Sequence, residues 1–404
     1  MNWLKQFPDS KKLIDLYPEI EVLNVNAHVH TPYSFSAFEN IAHLFRIAAR
    51  EQIAVLGIND FFVTGGYESF LNEAMNKRIF PLFNIEFIGL MKEEQQANIR
   101  VNDPQNPGRC YFCGKGLDYP FHTSSKNVEK INRVVALSQI QVQLMLEKLN
   151  VIFSEIRSPI RLDYEIIKKR YAKDLVRERH LAMAIRIEVF NSYDDDATRI
   201  SVFTRLFNDR PPKSGLKDIP GLENEIRSNL LKAGGRAFVE EDVDTFLGID
   251  EIMDIVVDSG GIPCYPVLLD NKNGNYTEFE ASPGNLLHQL RSLKVNCIEL
   301  IPGRNEAEHL EKFVRFFDSN GFVILMGTEH NTPEMIPMTC DTRGNMPLSA
   351  HMKSISYKGA CIVAAHQYMR AKGLEGFTFD TDENQIGHLS RLGNAIIHYQ
   401  RKKL

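Results

Sequence analysis

Short apolar runs that read as strands alternate along this chain with stretches of helical period, and that alternation limits the folds open to it more than any other feature. Strand-like runs at 22–26, 53–58 and 79–85 are separated by helical spacing at 41–50 and 68–77. The pattern resumes with strands at 262–269, 295–301 and 322–326, and with helices at 250–258, 284–293 and 306–318 between them. Such an order predicts successive βα units with parallel strands, as a barrel or an open sheet, whose strand ends bring ligands to one face.

Between about 124 and 231 the pattern gives way to long polar helical stretches, "NVEKINRVVALSQIQVQLMLEKLN" and "DYEIIKKRYAKDLVRERHLAMAIRIEVF". We read these as a helical insertion placed to cap the site. Two further helices, around 351–372 and 383–401, close the chain. The expected organisation is therefore a barrel from 1–123 and 232–346, an insertion at 124–231 and C-terminal helices at 347–404 packed on the barrel.

Composition narrows the partners. A formal net charge of -5 offers no broad basic surface for a phosphate backbone, so nucleic acid is not expected. Six cysteines in 404 residues, behind a start that does not read as a secretion signal, are not a secreted disulfide framework, and the expectation is a cytoplasmic protein. No apolar run approaches the length needed to span a bilayer. A homo-oligomer is left open.

The chemistry begins at "NVNAHVHTPYS". His28 and His30 are two apart on a strand, so both imidazoles face one way and can share an ion. Three further strand ends carry acids: Asp60 in "GIND", Glu86 in "PLFNIEF" and Glu329 in "GTEHNTP", with His330 beside it. One acid at such a place is ordinarily a helix cap or a loop residue, but several beside a His-x-His pair favour a shared site.

In this order the motifs resemble those of the polymerase and histidinol phosphatase (PHP) superfamily. "NAHVHTPYS" is similar to its first motif, "AVLGINDFF" to its Gly-x-Thr-Asp-His motif, and "PLFNIEF" to the strand bearing a bridging glutamate. "RERHLAMAIR" is similar to its Arg-Pro-His-Ile-Ala helix, "DSGGIPCYPVL" to its Ala-Gly-Gly…Ala-His-Pro strand, and "GTEHNTP" to its closing Gly-Ser-Asp-x-His. The resemblance implies an α/β fold, a distorted (β/α)7 PHP-like barrel with an α-helical insertion and C-terminal helices, that cleaves phosphoesters with up to three metal ions. Here several family ligands are replaced: Phe35, Phe61 and Tyr265 stand where an acid or histidine is expected, Cys110 falls near another histidine position, and Asn331 replaces the last one. What remains is one ion's worth of ligands, His28, His30, Glu86 and Glu329, with His330 as a further candidate. Zn, Mn or Fe suits such a set, and one ion is expected rather than three.

Asp60 and Glu86 are the candidate catalytic carboxylates, for proton transfer or for orienting a ligand histidine. Cys110, His180, Tyr265 and Asn331 are candidates for lining the site. Arg304, Asn305 and Lys115, with Lys272, are candidates for gripping a small anionic substrate. The leading expectation is a metal-dependent phosphoesterase. The alternatives are a one-metal amidohydrolase-like enzyme, acting as a sugar-acid isomerase or a C–N hydrolase, and a non-catalytic binding descendant of the fold.

Overall fold

In the computed structural model, which describes residues 2–270, 274 and 276–403, seven strands wrap into a nearly closed barrel. They are β1 (Val25–Val29), β2 (Val55–Phe61), β3 (Phe80–Leu90), β4 (Arg109–Lys115), β6 (Ile262–Val267), β7 (Cys297–Leu300) and β8 (Val323–Met326), paired in that order. A two-residue strand, β5 (Leu247–Gly248), pairs with the far end of β3. The segment after β8 completes the circle: Glu329 bridges Val29, the His30 amide donates to the Glu329 carbonyl, and the Glu329 amide donates to the His28 carbonyl.

Most barrel strands are buried along their whole length, as expected where helices cover the outside and side chains fill the inside. Helices 41–50, 67–77, 249–258, 283–292 and 307–319 match the helical periods to within a residue or so. The first is set by Asn40, whose side-chain oxygen accepts from the His43 amide while Leu44, Phe45 and Ala48 turn inward. One expectation fails. β4 runs antiparallel to both β3 and β6, so the sheet is not built from parallel units throughout. The connection from β3 to β4, residues 91–108, carries one short helix, Lys92–Gln96, and β4 returns beside β3 in the opposite direction.

Between 125 and 231 the chain is helical and packs around its own apolar cluster, which includes Leu149, Phe153, Leu181, Ile185, Phe203 and Leu222. The second long helical stretch is broken at 171–177 rather than continuous. There the chain turns aside to bond the loop after β1: the Lys173 amide donates to Pro32 and the Leu175 amide to Tyr33. That detour brings Arg177 and the helix Glu178–Ser192 against the barrel mouth.

The terminal helices, Ala350–Ala371 and Glu383–Lys403, pair with each other, and the first packs against β8 and β1. The first is rich in small residues because the strands come so close: a Cβ on Gly359 would lie 2.1 Å from the Ile324 carbonyl oxygen. Among the described residues no helix is long and apolar enough to cross a membrane.

Candidate metal centre

The barrel interior gathers one polar side chain after another from separate strands. His28 and His30 come from β1 and its end, Asn59 from β2, Glu86 from β3, Cys113 and Lys115 from β4, and Glu299 from β7. All are buried. A bulge in β1, between its pairings at Asn26 and Val29, re-aims His28 toward the axis. Gly327 leaves room for it, since a Cβ there would lie 2.4 Å from the His28 Cβ.

Three donor atoms face one another. His28 Nε2 is 3.1 Å from His30 Nε2, Glu86 Oε2 is 3.1 Å from His30 Nε2, and the third side of the triangle, Glu86 Oε2 to His28 Nε2, is 3.6 Å. Ligand bonds of about 2.0–2.1 Å place the donors of a tetrahedral ion about 3.3–3.4 Å apart, so these separations fit a shared divalent cation. Glu86 Oε2 adds an independent sign. It is buried and, although both imidazoles are near, no donor hydrogen points at it. A carboxylate oxygen without a donor is costly in such a place unless a cation satisfies it.

Second partners orient both histidines. Glu299 Oε2 is 2.6 Å from His28 Nδ1, which fixes that ring with Nε2 toward the triangle. His30 Nδ1 is 3.2 Å from Ser34 Oγ, which donates to Asp60 Oδ1 at 2.6 Å. Carboxylates behind ligand histidines are the usual means of setting tautomer and orientation. Asp60 also accepts from the Thr31 amide and hydroxyl, so it anchors the whole turn after β1. Burial raises its pKa, and the nearby His30 and hydroxyl donors oppose that rise.

Burial also disfavours the charged form of His28, but Glu299 and Glu86 outweigh it and hold its pKa up at about 9. Glu86 is the counterpart: burial would raise it, and the two imidazoles beside it hold it well below the usual carboxylate range.

Lys115 is not at the mouth. It is fully buried, donating to Glu299 Oε1 at 2.6 Å and to Asn59 Oδ1 at 3.0 Å. Burial disfavours its ammonium, and the neighbouring Cys113 and Glu299 together outweigh burial and keep it charged. Cys113, directly across from Glu86 in the β3–β4 register, lies 3.8 Å from Glu299 Oε2, and burial pushes its thiol pKa well up. His28, Cys113 and Glu299 make a second buried group that could hold an ion, beside His28, His30 and Glu86.

The remaining candidates lie outside both groups. Glu329 receives Arg304 Nη2 at 2.5 Å and Asn331 Nδ2 at 2.9 Å. The His330 ring is 2.7 Å from the Thr328 hydroxyl and 2.9 Å from the Ile336 carbonyl, stacked on Phe38. Both Glu329 and His330 have left-handed backbone, φ 63° and 55°, so the loop has already turned when it reaches them. Cys110 points to the other side of β4, its thiol near the Tyr111 carbonyl. Tyr265 donates to Glu280, and Asn305 bonds Asp270 and the Leu268 carbonyl. His180 accepts from the Arg177 amide at the start of its helix, its pKa lowered to about 3 by burial. Lys272 lies outside the described residues.

An aromatic layer covers the cluster. Phe61 stacks on the His30 ring at 4.6 Å, and the Arg177 guanidinium lies over the other end of this stack, 4.4 Å from the Phe61 ring centre. The sequence reading missed Glu299, Asn59, Cys113 and Ser34. A lone acid inside the apolar run "NCIEL" was the available signal, because a carboxylate in a buried strand requires a partner.

No protein-family model matches the chain, and no curated protein matches it by sequence. Solved structures resemble it over most of its length, among them two that bear on the site. One is a candidate metal-dependent phosphoesterase from Bifidobacterium adolescentis, at TM-score 0.52 and 13% identity, covering 83% of this chain and 96% of that one. The other is an amidohydrolase from Chromobacterium violaceum with bound sulfate and no metal, at TM-score 0.51 and 14% identity, covering 82% and 96%. At such identities the likeness establishes the barrel fold and leaves the chemistry to the residues.

Proposed function

We propose that this chain is a metal-dependent hydrolase of the PHP-like type that holds one divalent ion, Zn, Mn or Fe, and acts on a small anionic substrate, with phosphoesters first. The observation that carries the reading is the triangle of His28 Nε2, His30 Nε2 and Glu86 Oε2, with an unsatisfied carboxylate oxygen at one corner. An ion bound there supplies Lewis acidity and a more acidic water.

The chain's own residues then divide the remaining work. Glu299 and the Asp60–Ser34 pair hold the two imidazoles in their ligating tautomers. Arg304, nearly half exposed beside Glu329, keeps donors free for an anionic group at the rim. Phe61 and Arg177 cover the donors, so substrate reaches them only when this pair is displaced. The Asn305 amide nitrogen and the Lys115 ammonium are spent on internal bonds, and neither is offered as a donor to substrate.

A single-ion donor set also supports a C–N hydrolase or a sugar-acid isomerase. The test is a screen of phosphate monoesters, cyclic amides and sugar acids against Zn-, Mn- and Fe-loaded protein. Phosphate release that is lost in Glu86→Ala supports the first reading, amide or sugar-acid turnover moves the second ahead, and no turnover with any ion leaves a binding protein.

A further inference from the structure

We infer that the ammonium of Lys115 is a built-in cation that fills the second half of the donor cluster, so that the barrel takes one ion and excludes another. His28, Cys113 and Glu299 present ligand atoms within 4.8 Å of one another, all buried. They are well suited to a divalent ion: an imidazole, a thiol that loses its proton on coordination, and a carboxylate. The charge that meets them is Lys115. Its Nζ is 2.6 Å from Glu299 Oε1, and β4 carries Lys115 and Cys113 two residues apart on one face.

Asn59 fixes the arrangement. Its Oδ1 accepts from Lys115 Nζ, which leaves Nδ2 3.4 Å from Cys113 Sγ and 3.0 Å from His28 Nε2. Both ends of the amide are thus committed by a lysine that can only donate. The two halves of the cluster share one ring, since His28 shows Nε2 to His30 and Glu86 and Nδ1 to Glu299. A dication in the second half would have to share a dry space with the ammonium, and Glu299 cannot neutralise both. The lysine therefore keeps Glu299 as the orienting partner of His28, not as a metal ligand. Lys115 is a positioning residue that sets ion number.

This inference takes its setting from the metal reading above, but it is measured as a difference between variant and wild type. Wild type, Lys115→Met and Lys115→Gln, each stripped with chelator, are titrated with Co²⁺ and desalted. Ions per chain are then counted by elemental analysis, and near-ultraviolet absorption reports cobalt–thiolate bonds. The expected result is one ion more per chain in the lysine variants than in wild type, with a thiolate band that wild type lacks. Both are lost again when Cys113→Ser is added. Equal ion counts, or a thiolate band in wild type, overturn the inference. Variants that are unfolded without Co²⁺ and folded with it support it, while variants that stay unfolded with the ion count against it. No ion in wild type and one in the variants would sink the functional reading and leave this inference standing; one ion in each would do the reverse.

Discussion

Replacing Glu280 by glutamine should remove a pH dependence that the fold builds in. Glu280 is 1% exposed and accepts from the Tyr265 hydroxyl and from the Leu268 and Leu269 amides. Burial raises its pKa from an ordinary 4.5 to about 7, against the pull of those donors. The folded chain therefore holds a proton there, between those two values, that the unfolded chain has released. The stability this contributes is fully present below pH 4.5 and is lost as pH rises through 7. The gap corresponds to about 3 kcal/mol. Equilibrium urea unfolding of wild type and Glu280→Gln at pH 5 and pH 8 reads it directly. The variant should gain on wild type by about 2.5 kcal/mol between the two pH values, most of the full gap, whatever constant offset the amide introduces through the Leu269 contact. Parallel pH dependences, or a gap that moves the other way, would refute the argument that burial controls this carboxyl.

Three other perturbations address the centre. Gly327→Ala puts a Cβ against the His28 backbone and Cβ; it should cost about 1–3 kcal/mol of stability by overpacking and weaken ion binding, checked by thermal unfolding and ion titration. Ser34→Ala removes the link between His30 and Asp60; titration calorimetry should show ion affinity falling about 10–100-fold with the fold retained, and unchanged affinity would contradict the orienting role. Phe61→Ala uncovers His30; chelator should strip the ion faster from this variant than from wild type, and an equal rate would mean that the aromatic layer does not limit access.

Much of the barrel was legible because its helices announce themselves by period and cap, as at Asn40, and its strands by unbroken apolar runs. β4 was harder. "RCYFCGK" mixes charge, glycine and cysteine, and its antiparallel direction shows only in its pairing with β3 and β6, not in its own residues. At the site, His28 and His30 were legible from a two-residue period and Glu86 as an acid in the apolar run "PLFNIEF", although it lies within β3 and not at its end. Glu299 was not distinguished from any other acid in a strand, because its meaning depends on β7 facing β1 across the barrel. Lys115 was read as a candidate for gripping an anionic substrate for the same reason: a lysine is normally solvated, and only the register of β4 against β3 and β6 buries it. Glu329 followed the motif order, yet a left-handed turn at that residue gives its carboxylate to Arg304 and Asn331.

The most direct test of the metal centre is elemental analysis of protein purified without chelator or a metal-binding tag, comparing wild type with His28→Ala and Glu86→Ala. One Zn, Mn or Fe per wild-type chain, absent from both variants, is the predicted result. A wild-type chain that carries no ion and takes up none from added Zn, Mn or Fe would contradict the account.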